Sequence, residues 1–137
     1  MAATWLLKTE PEEYSFADLV RDGQTPWDGV RNPQAQVNMR RMAVGDRCVV
    51  YHTGGERAAV GLAEVVRAAY PDPTDPSGRY CLVDVRASEP LPRPVPLAAL
   101  RPDPRFAGSP LLRQPRLSVV PLTNAEWAAL LELSRGR

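Results

Sequence analysis

Residues 26–36, PWDGVRNPQAQ, gather one large aromatic and a set of fork-shaped hydrogen-bonding side chains. Trp27 is the aromatic; Arg31, Asn32, Gln34 and Gln36 are the polar groups. An indole face stacks on any planar base, a contact worth about 1–3 kcal/mol per base in single-strand binders. An amide offers a donor and an acceptor side by side, which matches the edge of a base. Arg31 at a helix start, beside spare backbone N–H groups, would suit a phosphate or a carbonyl. Ordinary structural roles compete with these. Trp27 could be a core aromatic that seals a barrel. Asn32-Pro33 is an efficient helix start, with Asn as N-cap and Pro at the first helical position. Gln34 is harder to dismiss, because the first turn of a helix does not require glutamine.

Three further pairs stand at strand ends or on strand faces. Lys8-Thr9 closes a first strand and His52-Thr53 a second, where polar groups can look into a barrel mouth. Arg116 and Ser118 share one face of an expected last strand. Their plain alternatives are a solvated strand end, a histidine satisfied by a backbone carbonyl, and an outward polar face. His52 is the only histidine, and a triad-type site needs a histidine held by an acceptor beside a nucleophile. The sequence has no GxSxG elbow, and HTGGER (52–57) lacks the GK[ST] ending of a phosphate loop. Without a CxxC pair or a second histidine, no metal and no cofactor are expected.

The elements that would carry these groups follow from patterning. TWLLK (4–8) reads as a strand. Ser15 caps a helix over 16–22 with Asp18 at its third position, Tyr14 and Leu19 as a hydrophobic staple, and Gly23 as the stop. Asn32-Pro33 starts a second helix with Ala35, Met39 and Met42 on one face, ended by Gly45. RCVVYHT is a strand. Residues 58–69 form another, in which Gly61 marks a bulge or a close backbone approach. YPDPTDPSG (70–78) is a loop. RYCLVDVRA alternates, with Cys81, Val83 and Val85 inward and Leu82, Asp84 and Arg86 outward. Six prolines in 90–104 argue against a regular element there beyond a short turn at LAAL. RLSVVPL (116–122) is the last strand. A helix follows it, with Thr123 and Glu126 as a capping box and Leu122 and Trp127 as a staple. Irregular alternation of five or so strands with three or four short helices fits a small curved β-barrel with helices at its ends.

At 137 residues, 44% hydrophobic and 24% charged, one globular domain over 1–137 is expected. A net charge of +1 does not announce a nucleic-acid binder, so such a role must come from local charge. Residues 1–30 carry Glu10, Glu12, Glu13, Asp18, Asp22 and Asp28 against Lys8 and Arg21. Residues 101–116 carry four arginines against Asp103. Cys48 and Cys81 sit in Val-rich runs, as small buried hydrophobes do. With no membrane-length apolar run and an acidic N-terminal stretch unlike a signal peptide, a soluble cytoplasmic chain is expected.

Taken in order, WLLKTEPEEYS (5–15), WDGVRNPQA (27–35), MAVGDRCVVYHT (42–53), VGLAEVVRAAYPDPTD (60–75) and RLSVVPLT (116–123) resemble the EVE domain family. The similarity runs over about residues 4–133 and extends to the bacterial EVE proteins and the thymocyte nuclear protein family. It implies an α+β, PUA-like curved barrel of five to six strands with short peripheral helices, related to the YTH readers of methylated adenine. It further implies a non-enzymatic reader of nucleic acid. A modified base, such as methylated or hydroxymethylated cytosine in DNA, would be flipped into a pocket at the barrel mouth. The positions that match are Lys8, Thr9, Trp27, Val30, Arg31, Asn32, Gln34, His52, Thr53 and the Arg116–Ser118 stretch. The chain departs from the family at Pro33, where an aromatic is common, and at Thr9 and Thr53, where Ser is common. It also departs at Gln36-Val37, where Arg-Asn is common.

On this reading Trp27 stacks on the base, and Asn32, Gln34, Thr53 and main chain near Val30 read its edge. Lys8, Arg31 and Arg116 meet phosphates or the base carbonyl. The partner is nucleic acid, DNA or RNA, with no membrane, and a monomer is favoured. Two alternatives stand beside it: an RNA-binding PUA-like module indifferent to modification, and a small hydrolase or nuclease using His52.

Overall fold

The computed structural model describes residues 2–136. The chain runs β1 (Thr4–Thr9), α1 (Phe16–Asp22), β2 (Gln24–Trp27), α2 (Pro33–Arg40), β3 (Arg47–His52), β4 (Ala58–Pro71) and β5 (Cys81–Pro96). It continues through α3 (Leu97–Leu100), a 3₁₀ turn (Pro104–Phe106), α4 (Pro110–Arg113), β6 (Val119–Leu122) and α5 (Asn124–Ser134). The strands form one mixed sheet in the order β2-β5-β4-β3-β1-β6. β1 pairs parallel with β3 and antiparallel with β6; the other pairings are antiparallel.

The sheet does not close by hydrogen bonds, because β2 and β6 are both edges. Helix α2 fills the gap. Gln36 holds both main-chain groups of Cys81 on β5, accepting from its N–H (2.9 Å) and reaching its carbonyl (3.4 Å). Asn38, two residues on, donates to the Val119 carbonyl of β6 (2.8 Å). Four strand spacings would hold β5 and β6 about 19 Å apart in a flat sheet. One helix turn bridging both strands therefore requires the sheet to curl, which gives the barrel-like, PUA-like form expected. Inside it, the buried apolar side chains make one cluster that includes Leu6, Leu7, Val49, Val65, Val83 and Phe106.

Local signals were mostly obeyed. The capping boxes Ser15/Asp18 and Thr123/Glu126 both form, and Asn32 accepts from the Ala35 N–H at 3.0 Å with Pro33 at the first helical position. Gly61 serves both expectations at once. The β3–β4 and β4–β5 registers shift beside it, and a Cβ added there would overlap the Phe16 ring. Both cysteines are free and buried. Burial pushes the Cys48 thiol up.

Several expectations need correction. No strand was expected at Trp27, yet it ends β2, an edge strand too short to show a period. β5 runs on through Pro90, Pro92, Pro94 and Pro96. These prolines fall at every second residue, so their missing N–H groups lie on one side of the strand. Beyond Arg86 that strand has only β4 beside it, and an edge tolerates the loss. Leu82 is buried rather than outward, so both faces of β5 are covered at its start. α2 stops at Arg40; Gly45 (φ 95°) instead makes the turn into β3. β6 is shorter than expected, and Arg116 and Ser118 precede it in an irregular turn rather than sharing a strand face. The 3₁₀ turn and α4 were not foreseen, although Asp103-Pro104 and Ser109-Pro110 are cap-and-proline starts of the same kind as Asn32-Pro33.

Candidate nucleic-acid interface

A cavity of about 480 Å³ opens where β1 and β2 end. Its walls come from Lys8, Thr9 and the following Glu10–Tyr14 turn, from Thr25–Val30, and from Ser118. The chain reaches this shape by a few main-chain ties. Lys8 N–H donates to the Ser118 carbonyl (2.9 Å), which sets the 115–118 turn against β1. Glu13 and Tyr14 N–H both return to the Glu10 carbonyl (3.0 and 2.8 Å), and the Thr9 hydroxyl donates to the Tyr14 carbonyl at 2.6 Å. The turn is thereby pinned to the strand that precedes it.

Tyr14 leans its ring on Trp27 edge to face, with centroids 6.4 Å apart and planes at 84°. Its hydroxyl donates to Asp22 on α1 (2.8 Å). Burial, and next the Asp22 carboxylate, raise the Tyr14 pKa. Trp27 is only 6% exposed, so it belongs to the core and shows the cavity a small part of its ring. Lys8 directs its ammonium to the Pro115 carbonyl (3.0 Å), and burial lowers its pKa. The same lining holds three acidic residues, Glu10, Glu13 and Asp28, against this one basic residue.

Of the residues expected in a site, the cavity gathers Lys8, Thr9, Trp27, Val30 and Ser118. The others face elsewhere, each with an identifiable partner or position. Arg31 lies over the Tyr80 ring (4.3 Å to its centroid), stands 4.0 Å from Asp72 and donates to the Val30 carbonyl. Asn32 is used in capping, and Gln34 donates to Asn38 Oδ1 (3.0 Å). Thr53 donates to the Thr9 carbonyl and to Glu10 (3.3 and 3.0 Å), supporting the rim from behind. His52 is 8% exposed, and its Nε2 accepts from the Phe16 N–H at 3.0 Å. That bond puts the ring proton on Nδ1, which meets Glu56 at 2.8 Å. The imidazole thus serves the start of α1. Arg116 is exposed in the turn beside Pro115, next to the Lys8 contact. Pro33 does not line the cavity.

Sequence reasoning missed Glu10, Glu13, Tyr14, Thr25, Pro26, Asp28 and Gly29 as lining residues. A signal existed for four of them, Thr25, Pro26, Asp28 and Gly29, which flank Trp27 directly. Glu10–Tyr14 were legible as a turn and a staple, but nothing local says that the turn folds over Trp27. Among the described residues no group of His, Cys, Asp and Glu is arranged to hold a metal, and no helix is long and apolar enough to cross a membrane.

The model of the EVE domain matches residues 3–133. Human thymocyte nuclear protein 1 is 32% identical over 97% of this chain and 74% of that protein. A Rhodopseudomonas palustris protein solved by NMR superposes with a TM-score of 0.92 at 43% identity, covering 98% of this chain and 94% of its own. Human thymocyte nuclear protein 1 has also been solved in complex with DNA containing 5-methylcytosine. That structure superposes with a TM-score of 0.87 at 31% identity, covering 97% of this chain and 98% of that one. Match, identity and superposition agree from β1 to α5: the chain belongs to the EVE domain family.

Proposed function

We propose that this chain is a non-enzymatic reader that binds nucleic acid and takes one modified base, of the methylated cytosine type, into the cavity beside Trp27. The observation that carries the reading is that cavity, about 480 Å³ and walled by two crossed aromatic rings, in a chain whose human relative was solved with methylcytosine DNA. The volume falls in the range of about 300–1,000 Å³ typical of small-ligand sites. The target base leaves its stack at a cost of a few kcal/mol. Trp27 and Tyr14 supply apolar wall, and a methyl group gains about 0.8 kcal/mol per buried carbon. That size predicts preference rather than absolute discrimination. Lys8 and exposed Arg116 stand near enough to the mouth to meet flanking phosphates. Arg31, held on Tyr80, contributes to the loop behind the site rather than to the base.

Turnover through His52 is disfavoured because both ring nitrogens already have partners and the ring is buried away from the cavity. Cytoplasmic location and a monomeric state are parts of the same proposal. The test is a fluorescence titration with matched oligonucleotides carrying cytosine or 5-methylcytosine at one position, single- and double-stranded. The reading expects the methylated strand to bind severalfold tighter, with affinity falling steeply as salt rises. Equal affinity leaves a nucleic-acid binder without modification preference, and turnover lost in His52→Ala while binding persists would establish the enzyme instead.

A further inference from the structure

The side chains that line the cavity differ in whether they already have partners. Its hydroxyl protons are largely committed within the protein: Thr9 to the Tyr14 carbonyl, Tyr14 to Asp22, and Thr25 to the Pro26 carbonyl. The Lys8 ammonium already donates to Pro115. Glu10 accepts from Thr53. The carboxylates of Glu13 and Asp28 are different. Both are exposed, both line the cavity, and among the described residues neither has a hydrogen bond or an ion pair. Donors remain in the Lys8 ammonium, which has two further protons, and in the main-chain N–H groups of Asp28 to Val30, while the carboxylates free to accept are these two. A phosphate would meet like charge there, so the anionic backbone must pass outside, on the Lys8 and Arg116 side.

Resting on the reading that a base occupies this cavity, we propose that the chain selects bases carrying an exocyclic amino group and rejects their keto counterparts, with Glu13 and Asp28 as the discriminating acceptors. The 4-amino group of cytosine donates, and carboxylates are its fitting partners. A hydrogen bond to an ionised acceptor is roughly twice as strong as a neutral one. A 4-keto base sets a carbonyl oxygen against the carboxylate that meets position 4, so two acceptors face each other there and only the N3–H is left to donate. Selection thus has two independent parts. The aromatic walls respond to the 5-methyl group, and the carboxylates respond to the group at position 4.

Thymine and 5-methylcytosine share the 5-methyl group and differ in the 4-substituent and the N3 proton that goes with it, so they isolate the second part. The experiment compares three otherwise identical duplexes with cytosine, 5-methylcytosine or thymine at one position, each opposite guanine. The thymine mismatch is the cheapest of these to unpair, so any preference against it is a lower limit. The wild type is expected to bind the 5-methylcytosine duplex about tenfold tighter than the thymine duplex, in the range of one well-placed base contact. In Glu13→Gln/Asp28→Asn, whose amides can turn a donor to the keto oxygen, that ratio should fall toward one. Absolute affinities will rise together as negative charge is removed, so the ratio is the quantity read. Circular dichroism checks that the double variant is folded, and the single variants replace it if it is not. Equal wild-type affinity for 5-methylcytosine and thymine, with 5-methylcytosine still preferred to cytosine, overturns this inference and leaves the base-reading function standing. An unchanged ratio in the folded variants removes Glu13 and Asp28 as the discriminators. Loss of all preference among the three duplexes removes the base-reading function with it.

Discussion

Two regions of this molecule are rich in polar side chains, amides and a guanidinium in one and carboxylates in the other, and they differ in whether all of those groups have partners. At the seam filled by α2, Arg31, Asn32, Gln34, Gln36 and Asn38 are each engaged with another part of the protein. At the open end, Glu13 and Asp28 face a cavity with nothing bonded to them among the described residues. Recognition-type side chains clustered in sequence therefore do not mark a binding site by themselves. The seam uses such groups because the sheet ends there and its buried main-chain N–H and C=O groups must be satisfied. The open end leaves them unmatched, which is what a ligand requires.

The largest expected effect tests whether Trp27 belongs to both regions' support. Trp27→Ala removes a 6%-exposed side chain and should destabilise the fold by about 3–5 kcal/mol in urea denaturation. Trp27→Phe should stay folded and weaken binding of a methylated oligonucleotide severalfold. Gln36→Ala comes next. It leaves the buried Cys81 N–H unpaired and should cost about 2–3 kcal/mol of stability while the ratio of methylated to unmethylated affinity stays constant. A change in that ratio would mean that the seam also reads the ligand. Asn32→Ala should lose about 1 kcal/mol, the value of an N-cap, again with no change in preference.

The smallest effect concerns the loop on which Arg31 rests. Asp75 accepts from Ser77 and from the Tyr80 and Arg79 N–H groups, and its pKa is lowered to about 2, with the Ser77 hydroxyl as the largest cause. A depressed folded value means stability that is present above the ordinary carboxylate pKa of about 3.9 and lost as pH falls toward 2. Protection factors of the amides at 77–80, taken against intrinsic exchange at each pH, should therefore fall between about pH 4 and pH 2, and Asp75→Asn should weaken that dependence. Base preference at neutral pH should not move.

Much of the fold was legible because its signals are local. Capping boxes, the Ser15 and Asn32 caps and the Gly23 stop each follow from a few neighbouring residues, and Gly61 could be read as an irregularity, though not that Phe16 is what approaches it. Trp27 was legible as the notable residue of its stretch, but its strand was not, since β2 has four residues and takes its pairing from β5. The extension of β5 through four alternating prolines depended on which edge was unpaired, a property of the assembled sheet. The site split in the same way. Lys8, Thr9, Trp27, Val30 and Ser118 lie at element ends and were reachable. Glu13, Tyr14 and Asp28 meet only because the turn after β1 folds over the end of β2. His52 looked available because its partner, the Phe16 N–H, was invisible before the elements had places, whereas the partner of Gln34, Asn38 at i+4 on the same helix, was legible and was overlooked.

The account stands on a base occupying the cavity beside Trp27. The most direct measurement is a crystal structure of the chain with a duplex carrying one 5-methylcytosine. The predicted result is the methylated base out of its stack, its ring against Trp27 and Tyr14, its amino group within hydrogen-bond reach of Glu13 or Asp28, and flanking phosphates toward Lys8 and Arg116. A duplex bound with every base stacked, touching the protein away from this cavity, would contradict it.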